Sequence, residues 1–394
     1  MKRASEFWVN PEILRWARER IGFTYSEVEE HSRKLGKYYE PVTAEQLKRW
    51  EQGLEEPDLT HLETLAEIYV CPVGYFFLPE PPEEQLPLSK RGLSSDKKLS
   101  PLSVQTLRRF YELAEWTVAI IEEHNIAWDV KIEKKQGIKL DELVAQERKR
   151  FGFNPDVRKN WVSKEDAFLW WRRRIEDLGI FCFEMKLDPK EIRGAALWLK
   201  KFPFMLVNHK DIEAATGRIF TLLHEYAHLL IDHNGVVCDF RGIRSGKNPE
   251  PFANRFAARM LLSYEELADR LEELGWFEFR ENWSDKALDE IRKPFFVSRD
   301  VVLITLQEMG LAPEDLYEKK REQWDRRKPF GRGGKRPKQF ESKLFQIGYS
   351  LASVLTNPHV SSSISHIELA EVLDLKVSKV RPFLEWANAQ LAVR

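Results

Sequence analysis

Apolar residues recur with a helical period in short segments over the first eighty residues, and most segments end at a glycine. The stretches PEILRWARERIG, TYSEVEEHSRKLG and TAEQLKRWEQG place apolar side chains three and four positions apart and stop at Gly22, Gly36 and Gly53. Two further helical stretches, DLTHLETLAEIY and PVGYFFL, follow them. Five short helices with tight stops predict a helix-turn-helix bundle over residues 1–80.

A segment rich in Pro, Ser and charged residues then interrupts the helical pattern. The letters PEPPEEQLPLSKRGLSSDKKLSP cannot bury a continuous apolar face, so we predict a linker over residues 81–101. The next stretch, PLSVQTLRRFYELAEWTVAIIEEHN, has the spacing of a long amphipathic helix. It begins a helical connector that we predict over residues 102–163.

The pattern becomes mixed between residues 164 and 270. DAFLWWRRRIEDLG has a helical period, whereas IFCFEMKL and AALWLKKFPFMLVN have the composition of strands, the second broken by Lys200 and Lys201 and by Pro203. An apolar helix pattern from Asp211 to His233 and a further helix, PFANRFAARMLLS, follow. A few strands succeeded by two apolar helices predict a compact central domain, and the chain as a whole is predicted to be of the α+β class.

The rest of the chain is predicted to be helical apart from one basic segment. Residues 271–318 extend the central domain with helices. Residues 319–342 form a linker, whose first twenty residues hold ten Lys or Arg against two acidic residues, a balance of +8. Such a segment either contacts nucleic acid or an acidic partner, or it is a solvated linker. Residues 343–394 show a helix, a turn and a second helix, which is either another helix-turn-helix or a plain helical packing module.

Composition changes this picture mainly by exclusion. A chain of 394 residues is too long for one ordinary core, and its formal net charge of −1 gives no global preference for nucleic acid or membranes. Three cysteines, Cys71, Cys182 and Cys238, lie far apart without a C-x-x-C pair, so we expect reduced thiols. No stretch has the pattern of a membrane span or a signal peptide, and we expect a cytoplasmic protein without membrane contacts.

Candidate chemistry appears in the stretch TLLHEYAHLLIDH, which contains the pattern H-E-x-x-H. On a helix, His224 and His228 lie one turn apart on the same face, so both rings can reach one metal ion. Glu225 lies beside that ion and suits a general base acting on water. The surrounding letters are apolar enough to be buried, and a metal would satisfy polar groups that are costly to bury alone. The alternative is a core helix whose histidines hydrogen-bond elsewhere.

A zinc site of this kind needs a third protein ligand. Asp232 lies two turns beyond His224, about 12 Å along the axis, and His233 points to another side of the helix. The ligand should therefore come from the next helix, where Glu250 stands at the start and Asn254 follows one turn later. Glu250 is either the third ligand, with Asn254 supporting it, or an ordinary acidic residue that favours the helix N-terminus.

Taken together, these motifs resemble the ImmA/IrrE family of zinc metallo-endopeptidases. That family shows H-E-x-x-H followed by E-x-x-A/C-N-x-F-A, and here LLHEYAHLLIDH precedes EPFANRFAARMLL, with IRGAALWLKKFPFMLVN upstream. The resemblance covers about residues 164–265. It implies one Zn²⁺ ion per chain, held by His224, His228 and Glu250. It also implies that Glu225 is the catalytic base.

The N-terminal segment is similar to the Xre-type helix-turn-helix. The similarity rests on LKRWEQGLEEPDLTHLETLAEIY, with Trp50, Glu51, Gly53 and Pro57 in the order W-E-x-G-x-x-x-P. Fusion of this module with the peptidase module on one chain is a common arrangement. The similarity implies a recognition domain in front of the peptidase.

Four polar residues of the third helix are candidates for contacts with DNA or with a protein partner, since they lie away from its apolar face. They are Gln46, Lys48, Arg49 and Gln52. Against DNA, residues 1–80 hold ten Lys or Arg and fifteen Asp or Glu, a balance of −5. Glu29 also stands where relatives have a small residue that packs under the recognition helix. Recognition of DNA and recognition of a protein both stay open.

The resemblance implies an endopeptidase that cuts helix-turn-helix repressors or antitoxins and so controls stress, mobile-element or phage-defence genes. A peptide substrate would lie along a sheet edge, for which RGAALWL is the candidate, and His209 or Tyr264 would supply an oxyanion donor. The alternative is a non-catalytic DNA-binding transcription regulator that keeps the zinc-site fold as a sensor domain. The candidate partners are thus a protein substrate, DNA and a second copy of the chain.

Overall fold

The computed structural model describes most of the chain in ten segments. These are residues 8–37, 39–82, 89–92, 99–135, 137–188, 191–209, 214–231, 236–238, 250–325 and 338–392, with the backbone alone described at 89–92, 214, 236–238, 250 and 325. The chain divides into two compact units. One consists of Met1–Leu86 with Lys98–Glu112, and the other of Pro87–Lys97 with Leu113–Arg394.

The first unit is built from short helices with well-formed caps. Its elements are α1 (Pro11–Ile21), α2 (Tyr25–Lys34), α3 (Ala44–Glu51), α4 (Leu59–Tyr69), a 3₁₀ helix (Val73–Phe77) and the first half of α5 (Pro101–Glu123). Thr24 and Thr43 form reciprocal capping boxes with Glu27 and Gln46, which fix where α2 and α3 begin. The helical segments predicted for this part of the chain are confirmed, except that VGYFF forms a 3₁₀ helix.

Glu29 caps α3 from the preceding helix. Its carboxylate accepts a hydrogen bond of 3.0 Å from the backbone N–H of Ala44 in the first turn of α3. The hydroxyl of Ser32 donates to the carbonyl of Val42 and accepts from the N–H of the same residue. The long turn between α2 and α3 is therefore held by side chains, one of which satisfies an N–H group that a helix N-terminus leaves without a partner.

A buried ion pair joins three helices of the first unit. Arg18 donates to the two carboxylate oxygens of Glu51 at 2.7 and 2.8 Å, and the hydroxyl of Tyr25 donates to the same carboxylate at 3.0 Å. The hydrogen bond with Glu51 raises the pKa of Arg18, although burial of the guanidinium acts in the opposite direction. Glu51 of the W-E-x-G motif therefore binds within the core of the unit.

The second unit contains the remaining helices and all strands of the described residues. Its helices are the second half of α5, α6 (Leu140–Phe151), α7 (Pro155–Arg158), α8 (Lys164–Glu176), α9 (Ala214–Ile231), α10 (Glu250–Leu261), α11 (Tyr264–Leu274), α12 (Asp285–Arg292), α13 (Arg299–Glu308), α14 (Leu316–Asp325), α15 (Gln339–Leu355), α16 (Pro358–Ser363), α17 (His366–Val372) and α18 (Val377–Ala392). Its strands are β1 (Ser89–Gly92), β2 (Phe181–Met185), β3 (Gly194–Leu199), β4 (Phe202–Asn208) and β5 (Val236–Cys238). Among the described helices, none is long and apolar enough to cross a membrane.

The strands form one mixed sheet in the order β1-β5-β3-β4-β2. β3 and β4 pair as a hairpin around Lys200 and Lys201, with Lys200 at a φ of 53°, while β2 runs parallel to β4. The predicted strands and the predicted break at the two lysines are confirmed, whereas the predicted break at Pro203 is wrong, because this residue lies inside β4 and pairs with Trp198. The helix-rich unit with a small sheet is compatible with the α+β class. The short strand β1 falls in the segment predicted as a linker, where its polar letters SKRG gave no strand pattern.

The strand that the sequence suggested as a sheet edge lies inside the sheet. β3 pairs with β4 along its whole length and with β5 over residues 194–196, so the expectation that RGAALWL forms an edge is wrong for this half of the strand. β2 borders the sheet instead, and its outer carbonyls are occupied. Ser350 donates to the carbonyl of Ile180 at 2.9 Å, and Arg172 donates to the carbonyl of Cys182 at 2.6 Å. These side chains cover the backbone groups that an added strand would need.

Ser350 belongs to α15, which breaks at Gly348, whereas Arg172 belongs to α8. This glycine has φ 78° and ψ 165°, a region open almost only to glycine. At the break, the backbone N–H of Tyr349 donates to the buried carboxylate of Glu176 at 2.9 Å. A Cβ atom at position 348 would overlap the Glu176 carboxylate and lie 2.5 Å from the carbonyl oxygen of Cys182. α15 is thus held against α8 through Glu176 and against the start of β2 through Ser350.

α9 lies at the centre of the second unit. All of its side chains from residue 215 to residue 230 are buried, including polar ones. It packs on β3 and β4 with one face and on α8 and α10 with others. The apolar pattern of this segment predicted burial, and the burial brings the H-E-x-x-H motif directly above the sheet.

Candidate functional site

Two histidines of α9 direct their Nε2 atoms at each other. The Nε2 atoms of His224 and His228 are 3.0 Å apart, and both side chains are fully buried. This closeness follows from their spacing of four residues, which places them one turn apart on the same face of the helix. The structure therefore brings the two predicted histidine ligands together.

This pair fits one shared zinc ion. Two Zn–N bonds of about 2.0–2.1 Å at a tetrahedral angle place the nitrogens about 3.3–3.4 Å apart. The observed separation of 3.0 Å differs little from that value, and a small rotation of either ring closes the difference. Imidazole nitrogen is also a ligand type that zinc prefers. His224 and His228 therefore suit zinc both in distance and in chemistry.

The side chain of Glu225, which belongs to α9, lies between that helix and the start of β3. Its side chain is fully buried, and it projects toward Gly194, the first residue of the strand. A Cβ atom at position 194 would lie 2.5 Å from Glu225 Oε1 and 2.8 Å from both Glu225 Cγ and Thr221 Cγ2. Glycine thus provides the space in which the carboxylate sits. The carboxylate is held in place by a strand that pairs on both sides, with Val207 and Cys238.

The third expected ligand belongs to the helix that packs against α9. α10 begins at Glu250, whose side chain lies outside the described part of the structure. Within the described side chains, no group of three or more His, Cys, Asp or Glu residues could hold a metal ion. Asn254, one turn later, is 6% exposed, and its Oδ1 atom is buried with no hydrogen-bond partner among the described residues. Such an oxygen fits a polar site beside α10, and the ligand role of Glu250 stays a prediction.

The opposite face of α9 is anchored by a second buried polar pair. The hydroxyl of Tyr226 donates to Glu147 of α6 at 2.6 Å, and both side chains are fully buried. Burial raises the pKa of Tyr226, and the neighbouring Glu147 carboxylate raises it further. At the end of the helix, the indole N–H of Trp198 donates to the carbonyl of Leu229 at 3.1 Å. These contacts fix the rotation of α9, and with it the direction of the histidines.

His209, one candidate oxyanion donor, contacts a buried ion cluster. Its Nδ1 atom lies 3.4 Å from Glu184, which accepts from Arg218 at 2.9 Å and from Arg172 at 2.6 Å. Burial raises the pKa of Glu184, but the hydrogen bond with His209 and the charges of Arg218 and Arg172 outweigh it and hold the pKa at about 2. Arg218 precedes Glu225 by two helical turns, about 10.5 Å along α9. The structure thus places His209 with the first half of α9, and its catalytic role stays a prediction.

Tyr264, the other candidate donor, stands at the start of α11 in a second set of charged groups. Its hydroxyl accepts a hydrogen bond of 3.2 Å from Arg259, whose guanidinium lies over the ring at 4.1 Å from the centroid. Burial and the nearby Glu308 carboxylate raise the pKa of Tyr264. These contacts join α10, α11 and α13, so the observed role of Tyr264 is in helix packing, and its role as an oxyanion donor also stays a prediction.

Two of the four candidate contact residues of α3 are already engaged within the first unit. Gln46 accepts from Thr43 in the capping box, and Arg49 pairs with Glu55 at 2.7 Å. Lys48 and Gln52 are exposed. The polar surface of α3 is therefore smaller than the sequence suggested, and whether it contacts DNA or protein stays open.

Two contacts of the site were missed by the sequence reasoning. Gly194 had a readable signal, because an isolated glycine next to apolar strand letters often marks a close approach of another group. The pairing of Tyr226 with Glu147 had none, since the two residues are 79 positions apart and belong to different helices. Contacts of this kind depend on tertiary packing that no local pattern reports.

The sheet, the buried helix and the converging histidines lie in a part of the chain that matches a known peptidase family. Residues 175–307 match the peptidase M78 family model, described as the IrrE N-terminal-like domain. That match runs from the end of α8 to α13 and includes every residue of the H-E-x-x-H motif. It supports the ImmA/IrrE family for this part of the chain and, at the level of the family, a metallopeptidase. No curated protein and no solved structure matches the chain.

Replacing Gly194 with Ala is expected to slow peptide cleavage by about 100-fold while zinc stays bound. The added methyl group forces the Glu225 carboxylate out of its space, and displacements of about 1 Å cost catalysis that much. Neither His224 nor His228 is among the nearest neighbours of the added atom. The measurements are cleavage rate and zinc content per chain.

Gly36→Ala is the matched control, since a Cβ atom there has nothing within 4 Å. We expect it to behave as the wild type in both measurements. Cleavage at the wild-type rate by Gly194→Ala would show that the position of Glu225 does not depend on the strand.

Proposed function

We propose that this chain is a zinc-dependent endopeptidase that cuts a regulatory protein. The observation that supports it most is the pair of buried Nε2 atoms of His224 and His228, 3.0 Å apart, beside the buried carboxylate of Glu225. Two imidazole nitrogens that converge on one face of a buried helix suit a shared zinc ion, which prefers ligands of this type. The match of residues 175–307 to the IrrE N-terminal-like domain supports the same class of enzyme.

In this proposal His224, His228 and Glu250 hold the zinc ion, and Asn254 supports them from the next turn of α10. When bound, zinc supplies Lewis acidity, which polarises a carbonyl group and makes water more acidic. Glu225 accepts the proton that the attacking water loses and returns it to the amine that leaves. Gly194 keeps the carboxylate in one position, and the apolar surroundings of α9 keep bulk water away from it.

The substrate that we propose is a helix-turn-helix repressor or an antitoxin, whose removal changes the expression of stress, mobile-element or phage-defence genes. The balance of −5 over residues 1–80 and the ion pair that engages Arg49 favour a protein partner over DNA for the first unit. A basic, DNA-binding repressor would complement such an acidic surface. The first unit would then select the substrate, and the second would cut it.

Zinc content is the first test of the proposal. We expect about one zinc ion per full-length wild-type chain, and loss of zinc in both His228→Ala and Glu250→Ala, because each removes one of three protein ligands. Metal content is measured by mass spectrometry after dialysis, with circular dichroism to verify folding. His359→Ala, on the exposed first turns of α16, is the control and should keep its zinc.

Two outcomes would contradict the proposal. A folded wild type without metal would make HEYAH a core helix and leave the non-catalytic regulator as the better explanation. Zinc retained in Glu250→Ala would remove Glu250 from the ligand set, while the two histidines would stay in it.

A further inference from the structure

The last two helices, α17 and α18, are joined by a short turn and have no part in the proposed peptidase activity. α17 ends at Val372 and α18 begins at Val377, so four residues separate them. Asp374 in this turn has a φ of 46°, and the N–H of Leu375 donates to the carbonyl of Ala370 at 2.9 Å. This is the hydrogen bond by which a left-handed residue closes the end of a helix. A tight turn of this length is typical of the helix-turn-helix.

A shared core holds the two helices in this arrangement. Leu369 and Leu373 of the first helix and its turn are fully buried, as are Val380 and Phe383 of α18. α18 also packs along α15. The side of α17 is tied to α5, because Glu368 accepts a hydrogen bond of 3.0 Å from the indole N–H of Trp116. Because this core and this hydrogen bond engage the other sides of the two helices, the first turns of α18 lie at the surface.

The exposed first turns of α18 present basic and apolar side chains together. Lys376, Ser378, Lys379 and Arg381 are exposed, and Val377 is 49% exposed although it is apolar. Arg381 pairs with Glu385 one turn later at 2.9 Å. In a helix-turn-helix, the N-terminal residues of the second helix contact base edges in the major groove. Lysines there suit phosphates and guanines, and an apolar side chain suits the methyl group of thymine.

The charge distribution along the chain points to the same end. Residues 326–365, which precede α17, hold eight Lys or Arg against one Glu, a balance of +7. Residues 366–394, which contain α17 and α18, have a balance of zero, and residues 1–80 have a balance of −5. Neutralised phosphates provide most of the affinity of proteins for DNA, so the positive end is the better candidate for such contacts. An α-helix fits the major groove of B-form DNA but not the deep, narrow groove of an RNA duplex.

We propose that the helix-turn-helix formed by α17 and α18 binds duplex DNA through the first turns of α18. Glu371 and Asp374 are also exposed near this surface and limit its charge. We therefore expect weak binding that depends strongly on salt, with dissociation constants of about 10⁻⁴ to 10⁻⁶ M for unrelated sequences. Binding at this surface needs neither zinc nor Glu225, so it is independent of the proposed peptidase activity.

Fluorescence anisotropy of the full-length chain with a labelled 30-base-pair duplex of random sequence tests the proposal. We expect binding at about 50 mM salt, and a loss of about tenfold in affinity when Lys376→Ala and Lys379→Ala are combined. The slope of log K against log salt should become shallower by about 1.8, or about 0.9 for each lost phosphate contact. Arginine at both positions should retain the binding, which separates a role of charge from a loss of folding.

The matched control is the pair Lys149→Ala and Lys293→Ala, which removes two positive charges from exposed positions of the second unit that lie in no candidate site. We expect this variant to bind DNA as the wild type does. The proposal is overturned if the wild type binds no duplex, if the double variant of Lys376 and Lys379 binds with unchanged affinity and slope, or if only the control variant loses binding. Absence of DNA binding would make this surface a docking site for a protein.

Discussion

Replacing Glu225 with Gln is expected to leave zinc bound and to reduce peptide cleavage by about 10²- to 10⁴-fold, the range that a general base contributes. Glutamine has nearly the same volume as glutamate, so it fits the space that Gly194 leaves. It cannot accept a proton from water. The variant therefore removes the proposed chemistry with little change in packing or in the histidine pair.

The measurement compares wild type and Glu225→Gln in an extract of the source cells, with newly formed protein N termini labelled and sequenced. Glu265→Gln, on an exposed residue of α11, is the control and should cut as the wild type does. Cleavage by Glu225→Gln at the wild-type rate would mean that another group is the base. A wild type that holds zinc but produces no new N termini would contradict the endopeptidase proposal itself.

Much of this site was readable from the sequence because its chemistry lies within one helical segment. The spacing of His224 and His228 predicts that their nitrogens converge, and the apolar letters around them predict burial. The space for Glu225 required the strand that begins at Gly194, which the sequence indicated only as a glycine beside an apolar run. Glu250 depends on how α10 approaches α9, so spacing alone left its role open.

The fold could be predicted from the sequence where local signals are strong, but not where tertiary contacts determine the arrangement of the elements. The helical spacing of TYSEVEEHSRKLG and TAEQLKRWEQG predicted α2 and α3, and Lys200 with Lys201 predicted the hairpin turn. The position of β3 inside the sheet was predicted wrongly, because strand order depends on pairings between segments far apart in sequence. The polar strand β1 joins the sheet through its backbone, which a pattern of side chains does not report.

Among these tertiary features, the contact of α15 with the sheet joins the residues that are furthest apart in sequence. It gives the second prediction with a large expected effect, which concerns stability. Gly348 lies in a backbone region that side chains avoid, at a point where Glu176 accepts from the N–H of Tyr349. Replacing Gly348 with Ala is expected to destabilise the second unit by about 3 kcal/mol or more. Strain in this region costs about 1–3 kcal/mol, and the overlap with Glu176 and with the Cys182 carbonyl adds to it.

Gly275→Ala separates the overlap from the strain. Gly275 also has a positive φ, 68°, but a Cβ atom there has nothing within 4 Å. We expect it to cost about 1 kcal/mol, the penalty of a left-handed backbone for a non-glycine residue. Denaturant unfolding followed by tryptophan fluorescence compares both variants with the wild type. Equal losses in the two variants would mean that the Glu176 carboxylate and the Cys182 carbonyl do not confine position 348. A larger loss in Gly348→Ala would mean that the C-terminal helices and the edge of the sheet form one cooperative structure, because the added methyl group acts at their contact.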